Sequence, residues 1–352
     1  MTKSPDELGY RMPAEWEEHD AVWLSWPYDP ITFPNRVERV ERTYIKIIKA
    51  ISASEQANLL VKDDGMECRV KALLSEEGVC LEGIVFHIYD YADVWFRDYG
   101  PIFIVNKDKK ELAMVDWIFN AWGGKYETLE RDTRIPAFIN KKVNIPCFKP
   151  GIVLEGGSID VNGNGTLITT EECLLNKNRN PALSKEDIKS YLKDYLGTEK
   201  VIWLKRGIAG DDTDGHVDDI ARFVGPRTVI CACEENKDDE NYTVLNENYE
   251  ILANSKDQDG NRLNVIKLPT PGFIGDKTGS LPGSYANFYI GNTVVLVPFY
   301  GVENDSKALS IIEGVFPDRK TEGIDCIDLI YGFGAIHCIT QQQPCLGSGL
   351  NI

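Results

Sequence analysis

Four short polar motifs contain most of the side chains that could do chemistry in this chain. They are DVWFRDYGP at residues 93–101, LEGGS at residues 154–158, GDDTDGHVD at residues 210–218 and GAIHCITQQQP at residues 334–344. Together they offer a thiol, an imidazole and several carboxylates. A thiolate is a strong nucleophile, an imidazole transfers protons near neutral pH, and carboxylates bind cations. This combination favours nucleophilic catalysis on a cationic substrate.

The motif at residues 210–218 pairs an imidazole with a carboxylate. Side chains alternate in direction along an extended chain, so His216 and Asp218 are expected to project from the same face. The same alternation sends Cys338 and its neighbour His337 in opposite directions. We therefore expect the proton-transfer partner of the Cys338 thiol to come from elsewhere in the chain, with His216 as the best-placed candidate.

Glu155 and Asp98 are the two other candidate carboxylates, and each has a simpler interpretation. Glu155 precedes two glycines, which permit the close approach of a ligand or of another strand. It could equally be an exposed residue at the start of a hairpin. Asp98 follows Arg97 and could be a structural carboxylate paired with that arginine. Taken alone, Cys338 could be a buried, inert thiol.

The overall charge agrees with a cationic ligand and argues against nucleic acid. The chain has 352 residues, with 38 Lys plus Arg against 55 Asp plus Glu, and a formal net charge of −17. Such a surface repels phosphate backbones and anionic membranes, so we predict neither a nucleic-acid nor a membrane partner. The first residues lack the apolar core of a signal peptide, and no stretch of about 18 apolar residues follows, which predicts a cytoplasmic protein.

The cysteines do not predict a disulfide framework or a metal site. There are nine of them, an odd number scattered along a long chain, which is typical of reduced thiols. Cys231 and Cys233 form the only close pair, and no second pair or nearby histidine completes a zinc site. We therefore predict no structural metal.

The polar motifs lie beside a repeated arrangement of short strands. Four pairs of apolar runs, each joined by a tight polar turn, predict hairpins that open near residues 98, 156, 219 and 286. A fifth hairpin is expected to open near Cys338 and to close through an N-terminal strand at residues 21–26.

Helical patterns between the hairpins lead into further short strands. The predicted pairs of helix and strand are residues 37–51 and 57–61, residues 184–196 and 201–204, and residues 305–316 and 325–330. Ser184, with Asp187 three residues further on, is expected to cap the second of these helices, and Asn35 is expected to cap the first.

A unit of hairpin, helix and strand thus recurs about every 60 residues, roughly five times, which is typical of a radial array of similar modules. We therefore predict an α/β fold of five repeated modules whose polar motifs meet around a common axis. An ordinary α+β domain with several hairpins is the alternative.

The motifs also resemble those of a known family. WFRDYGP at residues 95–101, LEGGS at 154–158, DTDGHVD at 212–218 followed by Arg222 and Phe223, SYANFY at 284–289 and IHCITQQQP at 336–344 are similar to motifs of the agmatine deiminases and of the bacterial peptidyl-arginine deiminases. The resemblance begins at MPAEWE, residues 12–17, and covers nearly the whole chain. It implies a single catalytic domain over residues 1–352 with the pentein fold, a five-bladed α/β propeller with pseudo-fivefold symmetry. It also implies catalysis without a cofactor and a common tendency to form homo-oligomers.

Matched motif by motif, the resemblance implies a role for each candidate residue. The family's nucleophile matches Cys338, its catalytic histidine and glutamate match His216 and Glu155, its guanidinium-binding carboxylates match Asp98 and Asp218, and an aromatic residue at its substrate channel matches Trp95. The predicted reaction is hydrolysis of agmatine to N-carbamoylputrescine and ammonia through a covalent cysteine amidino-thioether.

The motifs predict less about the part of the substrate beyond the guanidinium. Agmatine ends in a second cation, and Asp211, Asp212 and Asp214 could form an acidic mouth for it, although a solvated acidic turn is the alternative. Asp212 stands where the agmatine-specific members have Glu, Phe333 interrupts a run of glycines, and the loop after Gly124 is short. Three other functions therefore stay open: a deiminase of another guanidino compound such as peptidyl-arginine, an amidinotransferase, and a non-catalytic polyamine-binding protein.

Overall fold

A computed structural model describes residues 3–277 and 279–346 of the chain. Its strands form five mixed sheets and one two-stranded ribbon within these residues. The strands are β1 His19–Ser25, β2 Gln56–Val61, β3 Ile84–Ile88, β4 Ile102–Asn106, β5 Glu111–Val115, β6 Cys147–Phe148, β7 Ile159–Val161, β8 Thr166–Thr170, β9 Lys200–Leu204, β10 Ala221–Gly225, β11 Thr228–Cys233, β12 Asn264–Pro269, β13 Gly275–Asp276, β14 Gly279–Ser280, β15 Tyr289–Ile290, β16 Val294–Phe299, β17 Lys320–Asp325 and β18 Gln341–Pro344.

All five mixed sheets have the same construction, an antiparallel pair followed by a strand parallel to the second member of the pair. The strand orders are β4-β5-β6, β7-β8-β9, β10-β11-β12, β15-β16-β17 and β18-β1-β2-β3. In the fifth sheet β18 pairs antiparallel with β1, β2 runs parallel to β1, and β3 is a fourth strand. The four predicted hairpins are confirmed, and so is the closure of the fifth through the N-terminal strand.

Helical segments connect the strands. They are α1 Val37–Ile51, α2 Asp64–Glu76, α3 Phe96–Tyr99, α4 Ala121–Gly124, α5 Ile135–Val143, α6 Glu171–Leu174, α7 Lys185–Leu196, α8 Tyr242–Asn254 and α9 Asn304–Val315, with 3-10 turns at Asp6–Leu8, Leu81–Gly83, Glu127–Arg134, Gly156–Ser158, Val217–Asp219 and Ile330–Gly332. No helix among the described residues is long and apolar enough to cross a membrane.

Helix α7 shows how local sequence sets these elements. Ser184 and Asp187 form the predicted capping box: the Ser184 Oγ accepts from the Asp187 backbone N–H at 3.2 Å, and an Asp187 carboxylate oxygen accepts from the Ser184 N–H at 2.8 Å. Ile188, Leu192 and Leu196 are buried at the three- and four-residue spacing of one helix face. The helix ends at Gly197, whose φ of 69° suits a residue without a Cβ.

Two local predictions are wrong. Helix α1 begins at the predicted place, but Asn35 does not cap it, because Asn35 has a left-handed φ of 57° and the residue at the cap position is Arg36, which makes no side-chain cap bond. Of the predicted strand at residues 325–330, only Asp325 is in a strand, as the last residue of β17, and residues 326–330 form a turn. Leu329 and Ile330 are buried there without sheet pairing, and a short apolar run cannot distinguish the two structures.

The largest hydrophobic cluster packs helices against the sheets. Helix α1 buries a stripe that includes Val40, Tyr44, Ile47, Ile48 and Ile51, and it contacts β2, β16 and β17. Each such aliphatic side chain removed from water stabilises the fold by about 1.5–3 kcal/mol. This packing fixes the positions of the strand ends, and therefore of the polar turns attached to them.

Candidate active site

The turn before the first strand of each mixed sheet carries a candidate functional residue. Asp98 lies in α3 before β4, the turn Gly156–Ser158 precedes β7, and the turn Val217–Asp219 precedes β10. Asn287 precedes β15, and Cys338 precedes β18. The first of these turns contacts the second, and the second contacts the third. Residues from distant motifs therefore meet at one place.

A cavity of about 280 Å³ opens over this meeting point. Cys338 and Asp98 line it, and they are only 7% and 5% exposed. The other lining residues are Asp29, Ile31, Thr32, Pro34, Asp93, Trp95, Trp122, Tyr126, Thr128, Leu129, Asp212, Thr213, Tyr331, Gly332 and Phe333. A small ligand that enters past the aromatic side chains can therefore reach the Cys338 sulfur.

Asp98 is held by the chain around it and is not paired with its neighbour Arg97. Its Oδ1 accepts from the Gly157 N–H at 3.0 Å, and its Oδ2 accepts from Trp122 Nε1 at 2.9 Å. Arg97 points instead to Gln342 and to the His337 carbonyl, so the interpretation of Asp98 as an Arg-paired structural carboxylate is wrong. Burial raises the pKa of Asp98, and His216 opposes that rise.

His216 and Asp218 lie together, but not for the predicted reason. Val217–Asp219 forms a 3-10 turn, so the alternation expected of an extended chain does not apply here. Gly157 brings the groups together because it has no Cβ: a methyl group there would lie 2.6 Å from His216 Nδ1, 2.9 Å from Asp98 Oδ1 and 3.0 Å from Asp218 Oδ2. The close approach that the two glycines were predicted to permit is therefore an approach of three functional side chains.

Glu155 is fully buried, so the interpretation of an exposed hairpin residue is wrong. Its Oε1 accepts from Arg179 Nε at 2.6 Å, and the Arg179 side chain is itself buried. Sequence reasoning did not select Arg179, which lies outside all four motifs. This arginine compensates the buried carboxylate and fixes its orientation toward His216.

Several buried polar atoms in this cluster have no hydrogen-bond partner in the described part of the chain. They are Glu155 Oε2, both imidazole nitrogens of His216, and Asp218 Oδ1. These residues do not line the cavity themselves, but His216 lies 3.7 Å from Asp98 and Asp218 lies 3.8 Å from Cys338, and both of those partners line it. Buried polar atoms are costly when they are unpaired, so a set of them beside the cavity indicates a polar ligand. The set contains two acceptors on carboxylates and one imidazole that can donate or accept.

The Cys338 sulfur lies among hydrogen-bonding groups that the sequence did not predict. Asn287 Nδ2 is 3.1 Å from Sγ, and Asp218 Oδ2 is 3.8 Å from it. His216 makes no hydrogen bond with this sulfur among the described residues. Burial raises the pKa of the Cys338 thiol well above its ordinary value, and the charges of Asp218, Asp219 and Asp98 raise it further. A cation bound beside the sulfur would offset these effects and favour the thiolate.

The protonation of His216 is set by its acidic neighbours. Burial lowers the pKa of this imidazole, but the charges of Asp98, Asp218, Glu155 and Asp211 raise it by more, so the net shift is upward. His216 is therefore poised to hold a proton in the resting site and to deliver it to a leaving group.

Only one of the three aspartates expected at the mouth faces the cavity. Asp211 accepts from four donors of its own loop, and Asp214 is bound to Lys125, Asn178 and Arg179. Asp212 lines the cavity and accepts from the Tyr126 hydroxyl. The predicted mouth of three carboxylates is therefore reduced to Asp212.

The donors near His216 also resemble a metal site in spacing. Glu155, Cys173 and His216 each offer one ligand atom, and these atoms lie within 4.8 Å of one another. Arg179 already places a positive charge 2.6 Å from the glutamate. The set therefore fits an imidazole and carboxylate arranged for proton transfer better than it fits a cation site.

A substitution at Gly157 tests whether activity needs the close approach of Asp98, His216 and Asp218. The substitution Gly157→Ala is expected to lower kcat/KM by about 10²-fold, because displacement of the surrounding groups by even 1 Å misplaces the reacting atoms. Ammonia release from the substrate measures this loss, and circular dichroism checks the fold. The matched control is Gly314→Ala in α9, where a methyl group meets no atom within 4 Å and is expected to leave turnover unchanged. Equal activities of the two variants would contradict the assignment.

Comparison with known proteins first defines a class. A solved structure of the agmatine deiminase of Enterococcus faecalis superposes with a TM-score of 0.91 at 36% identity, covering 98% of this chain and 99% of that one. An amidinotransferase of Microseira wollei shares the fold at a TM-score of 0.51 and 10% identity, covering 97% and 98% of the two chains. The protein is therefore a mixed α/β protein with the fold that this deiminase and this amidinotransferase share.

The sequence comparisons then define the family. Residues 11–344 match the family described as the Porphyromonas-type peptidyl-arginine deiminases. A Legionella pneumophila protein named "Putative agmatine deiminase" is 40% identical over 346 residues, covering 98% of this chain and 97% of that protein. The chain belongs to this family, the agmatine deiminase family that its motifs resemble, and its relatives are hydrolases acting on carbon–nitrogen bonds.

Proposed function

We propose that the chain is an agmatine deiminase, a single catalytic domain over residues 1–352 that hydrolyses agmatine to N-carbamoylputrescine and ammonia through a covalent intermediate on Cys338. One observation supports this most strongly: a buried thiol adjoins a cluster of carboxylate oxygens and imidazole nitrogens that lack hydrogen-bond partners. A planar cation with several N–H donors is the ligand that such a cluster can bind.

The repeated sheets support a five-bladed α/β propeller with pseudo-fivefold symmetry. Five mixed sheets share one construction, and the first strands of different sheets contact each other, β18 with β4 and β7 with β10. In a propeller the first strands lie nearest the axis. The turns that enter them would then gather at one end of that axis, where the cavity lies.

Asp98 and Asp218 bind the guanidinium in this proposal. A guanidinium is planar and permanently charged, and carboxylates accept its paired N–H donors in a fixed geometry. Asp218 Oδ1 has no protein partner, and Asp98 Oδ1 lies 3.7 Å from His216 Nδ1. Two carboxylates near one sulfur orient the central carbon for attack and add a cation beside a thiol whose own surroundings oppose ionisation.

The first half-reaction forms a bond between the Cys338 sulfur and the guanidinium carbon. The thiol proton is released as the substrate cation stabilises the thiolate, and attack gives a tetrahedral adduct. His216 donates its proton to the departing nitrogen, the carbon–nitrogen bond breaks and ammonia leaves. An amidino-thioether remains on the enzyme.

The second half-reaction uses water. His216, now neutral, accepts a proton from the water that attacks the thioether carbon. The carbon–sulfur bond then breaks and Cys338 leaves as the thiolate. The remaining hydroxyl proton of the adduct passes to this sulfur, which restores the thiol as the neutral ureido product is released. Glu155, held by Arg179, keeps the imidazole oriented through both steps.

The cavity lining favours agmatine over free arginine. Among the described lining residues there is no lysine or arginine. Lys125 lies beside Asp212, and its ammonium is already paired with Asp214 at 2.8 Å and with Asp212 at 3.7 Å, so it is not a free partner for a substrate carboxylate. Asp29, Asp93 and Asp212 add carboxylates beside the aromatic walls, and Asp212 stands at the exposed end with Tyr126. A second positive charge, as on agmatine, is the complementary tail.

Substrate profiling by ammonia release tests this function. Agmatine is expected to turn over with release of N-carbamoylputrescine, and free arginine and an arginyl peptide are expected to be poor substrates. The arginyl peptide is included because the matching family is described as peptidyl-arginine deiminases. Turnover of the arginyl peptide without turnover of agmatine would overturn the substrate assignment, and appearance of an amidinated amine in place of the ureido product would indicate an amidinotransferase.

Asp212→Asn is expected to raise the KM for agmatine about fivefold, because a partly exposed carboxylate facing a substrate cation contributes on the order of 1 kcal/mol. The control substrate is butylguanidine, which has the same guanidinium and no second cation. The KM for butylguanidine should be nearly unchanged by the substitution. An equal rise of KM for both substrates would show that Asp212 does not act on the second cation of agmatine.

A further inference from the structure

His337, the residue next to the nucleophile, has two buried carboxylate partners. Its Nδ1 lies 2.7 Å from Asp218 Oδ2, and its Nε2 lies 2.8 Å from Glu15 Oε2. The imidazole is 2% exposed, and the two carboxylate side chains are 0% and 6% exposed. Residues 15, 218 and 337 are thus joined in one buried line that ends at the guanidinium-binding carboxylate.

A neutral imidazole cannot make both contacts favourably. It carries one N–H, so its other nitrogen presents a lone pair, which a carboxylate oxygen at 2.7–2.8 Å would repel. An imidazolium donates from both nitrogens. The contact geometry therefore favours a ring with a proton on each nitrogen.

The surrounding charges agree with this protonation state. Glu15 Oε2 also accepts from Arg222, and Arg97 lies 3.7 Å away. Arg222 is shared with Asp160 at 2.6 Å. The cluster thus holds the carboxylates of residues 15, 160 and 218 against two guanidinium groups. A positive charge on the imidazole of residue 337 makes the buried cluster neutral, which avoids the cost of an uncompensated charge.

We propose that His337 is a doubly protonated positioning residue that holds Asp218 ionised and directs its free oxygen to the substrate. Asp218 Oδ2 is occupied by the imidazolium, and Oδ1 is left without a protein partner. Burial raises the pKa of Asp218, but the hydrogen bond and charge of His337, together with the charges of His216 and Arg222, lower it by more. The inference rests on the proposed guanidinium-binding role of Asp218.

The turn itself fixes the imidazole in this position. The His337 N–H donates to Asn287 Oδ1 at 2.9 Å, and the same amide donates from Nδ2 to the Cys338 sulfur at 3.1 Å. Because Oδ1 receives a backbone N–H, the amide orientation is determined and Nδ2 must face the sulfur. One turn therefore sets both the nucleophile and the imidazolium beside it.

The protonation state is tested by NMR on protein with 15N-labelled histidines. The chain has four histidines, so the His337 ring is assigned by elimination with His19→Gln, His87→Gln and His216→Gln. We expect two protonated ring nitrogens in the folded wild-type protein, because both nitrogens face a carboxylate oxygen. A ring with a single N–H would overturn the proposal. This measurement uses the wild-type protein and does not depend on turnover.

The positioning role is tested by binding. In the Cys338→Ala background, His337→Gln is expected to raise the Kd for agmatine at least about tenfold, because Asp218 loses the partner that orients it. In the active enzyme, the same change should lower kcat/KM by about 10²-fold. The control is His19→Gln, since His19 is also buried against a carboxylate, Glu55 at 3.0 Å, outside the cavity.

The outcomes separate this inference from the proposed function. Failure of agmatine to bind or turn over in any form would defeat the proposed substrate, while the NMR result would still decide the state of His337. Unchanged agmatine binding in a folded His337→Gln variant would defeat the positioning role alone. If that variant does not fold, Glu15→Gln removes the outer carboxylate, and a ring that still carries two protons there would contradict the two-carboxylate explanation.

Discussion

Replacement of Cys338 by alanine is expected to abolish deimination, lowering kcat by at least about 10⁴-fold, because no other nucleophile can form the covalent adduct. Among the described cavity-lining residues, Cys338 is the one cysteine. The fold should survive, since the change removes one sulfur at the edge of an existing cavity. Ammonia release measures the loss, and thermal unfolding followed by circular dichroism checks the fold.

Cys326→Ala is the matched control for this variant. Cys326 is free and fully buried, and it lies in the hydrophobic core outside the cavity. Its replacement should cost about 1 kcal/mol of stability through lost packing and leave turnover unchanged. Near-wild-type turnover by Cys338→Ala would refute a covalent scheme on this sulfur.

His216→Ala is expected to lower kcat by about 10³-fold, the size of effect typical for loss of a general acid and base. Both imidazole nitrogens lack hydrogen-bond partners among residues 3–277 and 279–346, and the surrounding carboxylates raise the pKa of the ring. In the proposed mechanism, His216 therefore holds the proton that the departing nitrogen takes. Without it, either the first attack fails to release ammonia or the amidino-thioether persists because water is not activated. Intact-protein mass spectrometry after mixing with agmatine distinguishes these two outcomes.

The control for this variant is His87→Ala. His87 is half-buried, contacts Asn58 at 2.9 Å and stacks on Trp23, and it does not line the cavity. Its loss should affect stability and not turnover. Rapid, normal turnover by His216→Ala, with no adduct, would remove His216 from the mechanism and leave proton transfer to another group.

Local sequence was sufficient for much of the fold. The hairpins and the capping box of α7 depend on residues within a few positions of each other, so periodicity and turn chemistry could predict them. The failures at Asn35 and at residues 325–330 are also local, and they arose where a polar residue or a short apolar run fits two conformations equally well.

The side chains of the site were less predictable than the strands. Trp122 binds Asp98, Arg179 binds Glu155, and Asn287 binds Cys338, yet none of the three was selected from the sequence. Asn287 lies inside the motif SYANFY at residues 284–289, so a signal for it existed. Arg179 has no such signal, because its role depends only on which carboxylate it meets in the folded chain.

By itself, the sequence determined the chemical inventory of this protein and the repeated strands that carry it, because hydrophobic periodicity and turn residues act over short distances. The tertiary structure decided which of these side chains contact each other. It placed the His337 imidazole between Glu15 and Asp218. It directed Arg97 to Gln342 and not to the adjacent Asp98. It also paired Asp211 and Asp214 with hydrogen-bond donors of the folded chain. The His337–Glu15 contact joins residues 322 positions apart, and such pairing depends on how the sheets pack, which no local pattern encodes.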